Sequence, residues 1–361
     1  VNHPSTLTTF TRASVPLTSG TAAGNGDSIT YHAAGPEDGP MLVFVHGWPA
    51  NGRTWKHQLT AFAALGFRVI APDMRGYGSS TVHQQRDAYA QEHLVDDMVA
   101  LLDRLDREQA VWIGHDWGSA TVWGLAGHHP ERCAAVASIC IPYRTLERGV
   151  PALLEHVNRS IYPPDTHPYA QFDYMHYYAS EAERAAQVLD ARPANTVRAF
   201  FRGGVPAAHG KPGPTSEITR NGGWFAGADA VPDLPPDTRV LDEELLADLT
   251  SSLTRTGFAA SIAYYLNDEA NRTYSDTSLN GGRLDMPVLY LEAFYDQVAD
   301  TSLSRLAEPM RRYCTDLTEE SIEAGHWAQL EQPTAVNAAL ARWLATKTPS
   351  LWPQPTHPPR S

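Results

Sequence analysis

Four apolar runs constrain this chain more than any other feature: MLVFVH at 41–46, RVIAPD at 68–73, AVWIG at 110–114 and AAVASICI at 134–141. Each reads as a strand, and MLVFVH, a continuous apolar run, as one buried on both faces. Segments with helical spacing lie between them: 54–65, 93–105 and TVWGLAGHH. Strand and helix in such short alternation call for a mostly parallel, doubly wound α/β sheet. The rhythm stops after Pro142. Residues 143–283 read as mostly helical, broken by a Gly/Pro-rich stretch from Gly203 to Pro236. It resumes at MPVLYLEAF, passes a helix around 303–312, and closes with TAVNAALARWLATK. The expectation is one α/β core (1–142 and 284–347) carrying an inserted helical lid (143–283) over the C-terminal edge of its sheet, where open α/β sheets keep their sites. The first forty residues read as a hairpin with SITYHA as its second arm, and the proline-rich tail 348–361 as extended or disordered.

The net charge of −13 disfavours nucleic acid and anionic membrane as partners, and no run is long enough to span a bilayer. Three cysteines lack ligand spacing, and Cys140 reads as a buried strand thiol. So sparse a count suits a reducing compartment, which makes a cytoplasmic location the expectation. A first residue of Val leaves a processed or secreted form open. No ligand cluster calls for a metal or an organic cofactor.

The chemistry concentrates in AVWIGHDWGSATVWGLAG. A buried strand runs into Gly114-His115-Asp116-Trp117-Gly118 and directly on into a helix. The pattern is a G-x-S-x-G elbow with aspartate in place of serine, a strained turn that lifts its middle side chain to the sheet edge. Asp116 as a mere helix N-cap is the plain alternative. A serine attacking saturated carbon would form an ether that water does not cleave, whereas a carboxylate forms an ester that water can hydrolyse. An aspartate at the elbow therefore points to substitution at sp³ carbon, as in epoxides and haloalkanes.

The second half of such a reaction needs a base. His326, in EAGHWAQLEQP, follows a strand-like run and precedes the last helix, the final position of the nucleophile–acid–histidine order. Asp296, just beyond the strand LYLEAF, can orient it, with Asp300 as competitor. HGWP follows the first buried strand, so the backbone N–H groups of Trp48 and Trp117 can converge on an oxyanion. An epoxide oxygen also needs a proton donor, and tyrosine, neutral at pH 7, suits that task. The lid offers Tyr162, Tyr169, Tyr174, Tyr177, Tyr178, Tyr264, Tyr265 and Tyr274, among which spacing does not choose.

At these residues the chain resembles the soluble epoxide hydrolase family of α/β-hydrolases, from about Tyr31 to Lys347. HGWP is similar to its HGxP motif, GHDWGS to its aspartate elbow, and DMRGYGSS to its loop after the third strand. AGHWAQLEQP and EAFYDQV resemble the segments holding its histidine and orienting aspartate. QFDYMHYY and TGFAASIAYYLND resemble its two lid-tyrosine segments. The resemblance implies that Tyr174 and Tyr265 hold and protonate the epoxide oxygen, with a shift to Tyr264 as the alternative register. It implies attack by Asp116, ester hydrolysis by His326 and Asp296, and no cofactor. His46, Pro49, Tyr264 and Trp327 are expected to border the pocket, His46 also bonding within its own loop. The Gly/Pro-rich loop around 203–224 departs from the family's usual length. The expected partner is a small epoxide, the expected state a monomer or homodimer. A haloalkane dehalogenase is the nearest rival, although Trp48 stands where some of those enzymes carry asparagine. A non-catalytic receptor of the same fold is the more distant one.

Overall fold

The computed structural model describes residues 11–16, as backbone, and 27–353. Eight strands form one sheet: β1 (Thr11–Pro16), β2 (Ser28–Ala34), β3 (Met41–Val45), β4 (Arg68–Pro72), β5 (Ala110–His115), β6 (Cys133–Ile139), β7 (Leu284–Ala293) and β8 (Cys314–Ile322). Their spatial order is β1-β2-β4-β3-β5-β6-β7-β8. β2 runs antiparallel to β1 and β4, and every other pairing is parallel. The turn joining β1 to β2 lies outside the described residues.

The apolar runs explain the layering. β3 and β5 are buried along their whole length because helices cover both faces of the sheet. β8 lies at the edge and alternates partly exposed positions, with Glu319 and Glu320 along it. Charge there discourages pairing with another strand. The chain order reverses at β3 and β5, and the loops leaving their C-terminal ends carry His46–Pro49 and Asp116.

Between β6 and β7 the lid contributes helices at Asp173–Asp190, Pro193–Phe200, Glu243–Thr256 and Asp268–Asp276. Glu243–Thr256 shows how local sequence marks its ends. Asp242 accepts from Leu245 N, and the chain then leaves through Gly257 at φ +67°, where a side chain would be strained. From 203 to 236 the proline-rich chain makes only short turns. The lid is bound to the core: Asn51 Nδ2 donates to Asp248 (2.7 Å), Gly78 N to Ser252 Oγ (3.1 Å) and Gln91 N to Asn271 Oδ1 (2.8 Å).

Three local expectations need revision. Residues 303–307 are not helical; the helix starts at Glu308, because Asp300 accepts from Leu303 N and turns the chain first. Cys140 lies one residue past β6 at φ +73°, buried. The tail is ordered as far as residue 353, since Pro349–Leu351 forms a 3-10 turn and Trp352 packs edge-on against Phe67 at 5.5 Å. Residues 354–361 lie outside the described residues. Among the described residues no helix is long and apolar enough to cross a membrane.

Candidate active site

Asp116 adopts φ +52° and ψ −125° between β5 and the helix Trp117–His128. A non-glycine residue in this region carries about 1–3 kcal/mol of strain. The flanking glycines explain how the turn is built, and flexibility is not their role. A Cβ on Gly114 would lie 2.5 Å from Ser119 Cα, and one on Gly118 would lie 2.1 Å from Val45 O. The bare backbones let strand, loop and helix close around the aspartate.

The side chain makes no helix-capping hydrogen bond. It turns toward the HGWP loop, where Trp48 N donates to Oδ1 at 2.6 Å, and it also accepts from the amide of Trp117. Burial raises the pKa of Asp116, although facing His326 and the two amides pull it down. The carboxylate is thus buried, yet held by two backbone donors.

His326 faces the other oxygen, with Nε2 3.8 Å from Oδ2. Its Nδ1 donates to Asp296 Oδ2 at 2.8 Å. Asp296 also accepts from Val298 N at 2.9 Å. Burial alone would raise the pKa of Asp296, but His326 and the backbone donors hold it below the usual carboxylate range. Burial likewise opposes a charged His326, yet the two aspartates overcome it and raise its pKa to about 9. Asp300, the competing orienter, instead bonds Ser302 and Leu303.

Tyr174 and Tyr265 line the same cavity as Asp116, their rings 5.6 Å apart. Both are buried, and burial, with Asp116 nearby, raises both phenols above the usual range, so they stay protonated. Tyr265 is fixed by ring contacts to Trp117 (5.1 Å), Tyr178 (5.1 Å) and Trp48 (5.9 Å). The cavity encloses about 440 Å³ between core and lid, and Pro49 and Trp327 also line it.

Two expected pocket residues do not line it. Tyr264 points the other way from Tyr265, and its hydroxyl donates to Arg75 O at 2.8 Å. His46 lies beneath the loop, where Nδ1 bonds Gly47 O (2.9 Å) and Nε2 accepts from Met74 N (3.0 Å). Burial lowers its pKa to about 4, which keeps it a neutral clip between two loops.

Other residues near the histidine were not singled out by sequence. His115 Nε2 donates to the carbonyl of His326 at 2.7 Å, and Cys140 Sγ approaches the same carbonyl at 3.3 Å. Although His115, Cys140 and His326 offer potential ligand atoms within 4.8 Å of one another, these hydrogen bonds account for their grouping. Glu331 accepts from Gly325 N (2.8 Å) and from Gly204 N of the lid (2.9 Å), with Arg239 3.6 Å away. Gly204 and Gly325 meet backbone to backbone, so a Cβ on either would lie within 2.6 Å of the other's nitrogen. The only sequence signal for this clasp was a pair of glycines in the loop of unusual length.

The model of the alpha/beta hydrolase fold family matches residues 40–333. Bifunctional epoxide hydrolase 2 of Mus musculus is 33% identical over 324 residues, covering 88% of this chain and 54% of the relative. The chain thus spans about half the length of that protein. Epoxide hydrolase A of Mycobacterium tuberculosis (strain ATCC 25618 / H37Rv) is 33% identical over 330 residues, covering 89% of this chain and 95% of the relative. The crystal structure of epoxide hydrolase A from Mycobacterium thermoresistibile superposes with a TM-score of 0.75 at 31% identity, over 94% of this chain and 99% of that one.

Proposed function

Because this chain belongs to the α/β-hydrolase fold family, among its epoxide hydrolases, we propose that it converts an epoxide to a vicinal diol through an ester on Asp116. One observation carries the reading: a buried carboxylate with two backbone donors and a histidine–aspartate pair beside its Oδ2, in one cavity with two neutral phenols.

In the first step Asp116 Oδ2 attacks a ring carbon and the carbon–oxygen bond opposite it breaks. The departing electron pair settles on the ring oxygen, which takes a proton from Tyr174 or Tyr265. In the second step His326 takes a proton from water, and the resulting hydroxide attacks the ester carbonyl. Negative charge then grows on the oxygen facing the Trp48 and Trp117 amides, which lowers the barrier. The intermediate collapses, and the departing alkoxide takes the proton held by His326. Asp116, left as a carboxylic acid, loses its proton, which restores the phenol. Water and epoxide are consumed, and one diol leaves.

The electrostatics order the steps. With its pKa at about 9, His326 is protonated in the free enzyme and cannot accept a proton from water. Esterification removes the charge on Asp116, one of the groups that hold that proton. After alkylation a larger fraction of His326 therefore gives its proton to solvent and acts as the base, and solvent returns a proton to it once Asp116 is again a carboxylate. Trp48 directs its indole N–H to Ser261 Oγ at 3.2 Å, which leaves the Trp117 indole without a second free indole donor at Trp48 for a halide and so favours epoxide over haloalkane.

A single turnover of styrene oxide in heavy-oxygen water tests the route. The expected result is one labelled oxygen in the peptide containing Asp116. A label-free peptide with diol formed overturns the ester. Bromide released from a bromoalkane, with no diol from styrene oxide, overturns the reaction class.

A further inference from the structure

Asp116 stands between two hollows of very unequal size. It borders both, together with Tyr174 and Val298. On one side lies the chamber of about 440 Å³, walled by apolar groups including Phe200, Ile218, Trp224 and Phe225. On the other lies a small hollow of about 10 Å³, lined by Ile141, Leu146, Leu153, Phe172 and Leu306. A space near 10 Å³ takes roughly one water-sized group. A third hollow of about 500 Å³ touches Tyr265 and does not border Asp116.

An epoxide bound for attack has little freedom here. Its oxygen faces the phenols and its ring carbons lie over Asp116, so the substituents on the two carbons diverge, one toward each hollow. Building on the epoxide reading above, we propose that the substrate is a terminal epoxide, or one whose second ring carbon bears at most a methyl group. Its other substituent is a bulky apolar group that fills the large chamber. Leu153 from the lid and Leu306 from the core set the limit. Both are buried, and close-packed walls resist overfilling because each added carbon displaces side chains or backbone.

The test compares kcat/KM for styrene oxide, trans-β-methylstyrene oxide and trans-stilbene oxide. Styrene oxide is expected to exceed trans-stilbene oxide by about 100-fold or more, with the methyl compound within about tenfold of styrene oxide. Leu153→Ala and Leu306→Ala are each expected to narrow the stilbene-to-styrene ratio by about tenfold. The ratio is taken within one variant, so a loss of folded protein cancels; should either fail to fold, Leu153→Val reads the same ratio with a smaller opening. Equal turnover of stilbene and styrene oxides by the unaltered protein overturns the size limit and leaves the epoxide reading standing. So does an unchanged ratio in the enlarged variants. No diol from any of the three, with no ester on Asp116, overturns both.

Discussion

The two halves of the site are held in different ways. On the core side, Asp116 is placed by a strained backbone and glycine contacts, and His326 by hydrogen bonds to its carbonyl and to the amide before it. On the lid side, Tyr265 and Tyr174 are held chiefly by contacts between rings. Backbone constraint admits few alternatives, whereas apolar packing tolerates volume-conserving exchange. The proposed nucleophile and base are therefore rigid parts, and the proposed acid and the pocket walls are adjustable ones. A change in the core half is expected to stop one chemical step. A change in the lid half is expected to scale a rate or alter which substrate fits.

The sharpest test of that division is His326→Gln. Alkylation needs no base, so intact-mass measurement should show the Asp116 ester accumulating while steady-state turnover falls by about 10³–10⁴-fold. Unmodified protein after mixing with substrate would remove His326 from the second step. Tyr265→Phe is the lid counterpart, keeping the ring and losing the proton. It is expected to slow alkylation by about 10²-fold, with melting temperature nearly unchanged. A large loss of stability would mean that the hydroxyl, and not the ring, holds this residue in place.

Smaller effects probe the seam between the halves. Glu331→Gln keeps the oxygen that accepts from both amides but loses the charge facing Arg239, and it is expected to slow ester hydrolysis by about tenfold with alkylation unaffected. Equal slowing of both steps in rapid-quench kinetics would reduce Glu331 to a general structural part. The smallest effect is a displaced titration. His326 in the free protein is expected to titrate near 9, above its ordinary 6.5. That raised value stabilises the fold by an amount complete below 6.5 and lost as pH climbs through about 9. In the ester the Asp116 charge is gone, so ester decay should rise with pH at a midpoint lower by on the order of one pKa unit. Coincident midpoints, from NMR titration of the free protein and single-turnover decay, would show that Asp116 does not govern the base.

The same division explains how much was legible in the sequence. The sheet and the grouping of Asp116, His326 and Asp296 could be read because strand-to-loop junctions announce themselves in short apolar runs ended by glycine, histidine or aspartate. Tyr174 was reached by family likeness, and Tyr265 could not be told from Tyr264 by residue type. Adjacent residues in a tight turn face apart, and only the fold shows that Arg75 O takes the Tyr264 hydroxyl. His46 looked like a pocket residue because its neighbours are; Met74, the partner that holds it below the loop, is 28 positions away. Glu331 escaped notice for the same reason, since its lid partner Gly204 is 127 positions distant.

That distant partnership limits how the protein can be re-engineered. A graft beginning at Val205 exchanges the outer loop and spares the two-glycine join. One beginning at Phe201 replaces Gly203 and Gly204, and any side chain at the latter would push the histidine loop aside. Variation in loop length therefore has a natural boundary: changes downstream of it reshape the chamber wall at Ile218, Trp224 and Phe225, and almost none is tolerated at the join itself.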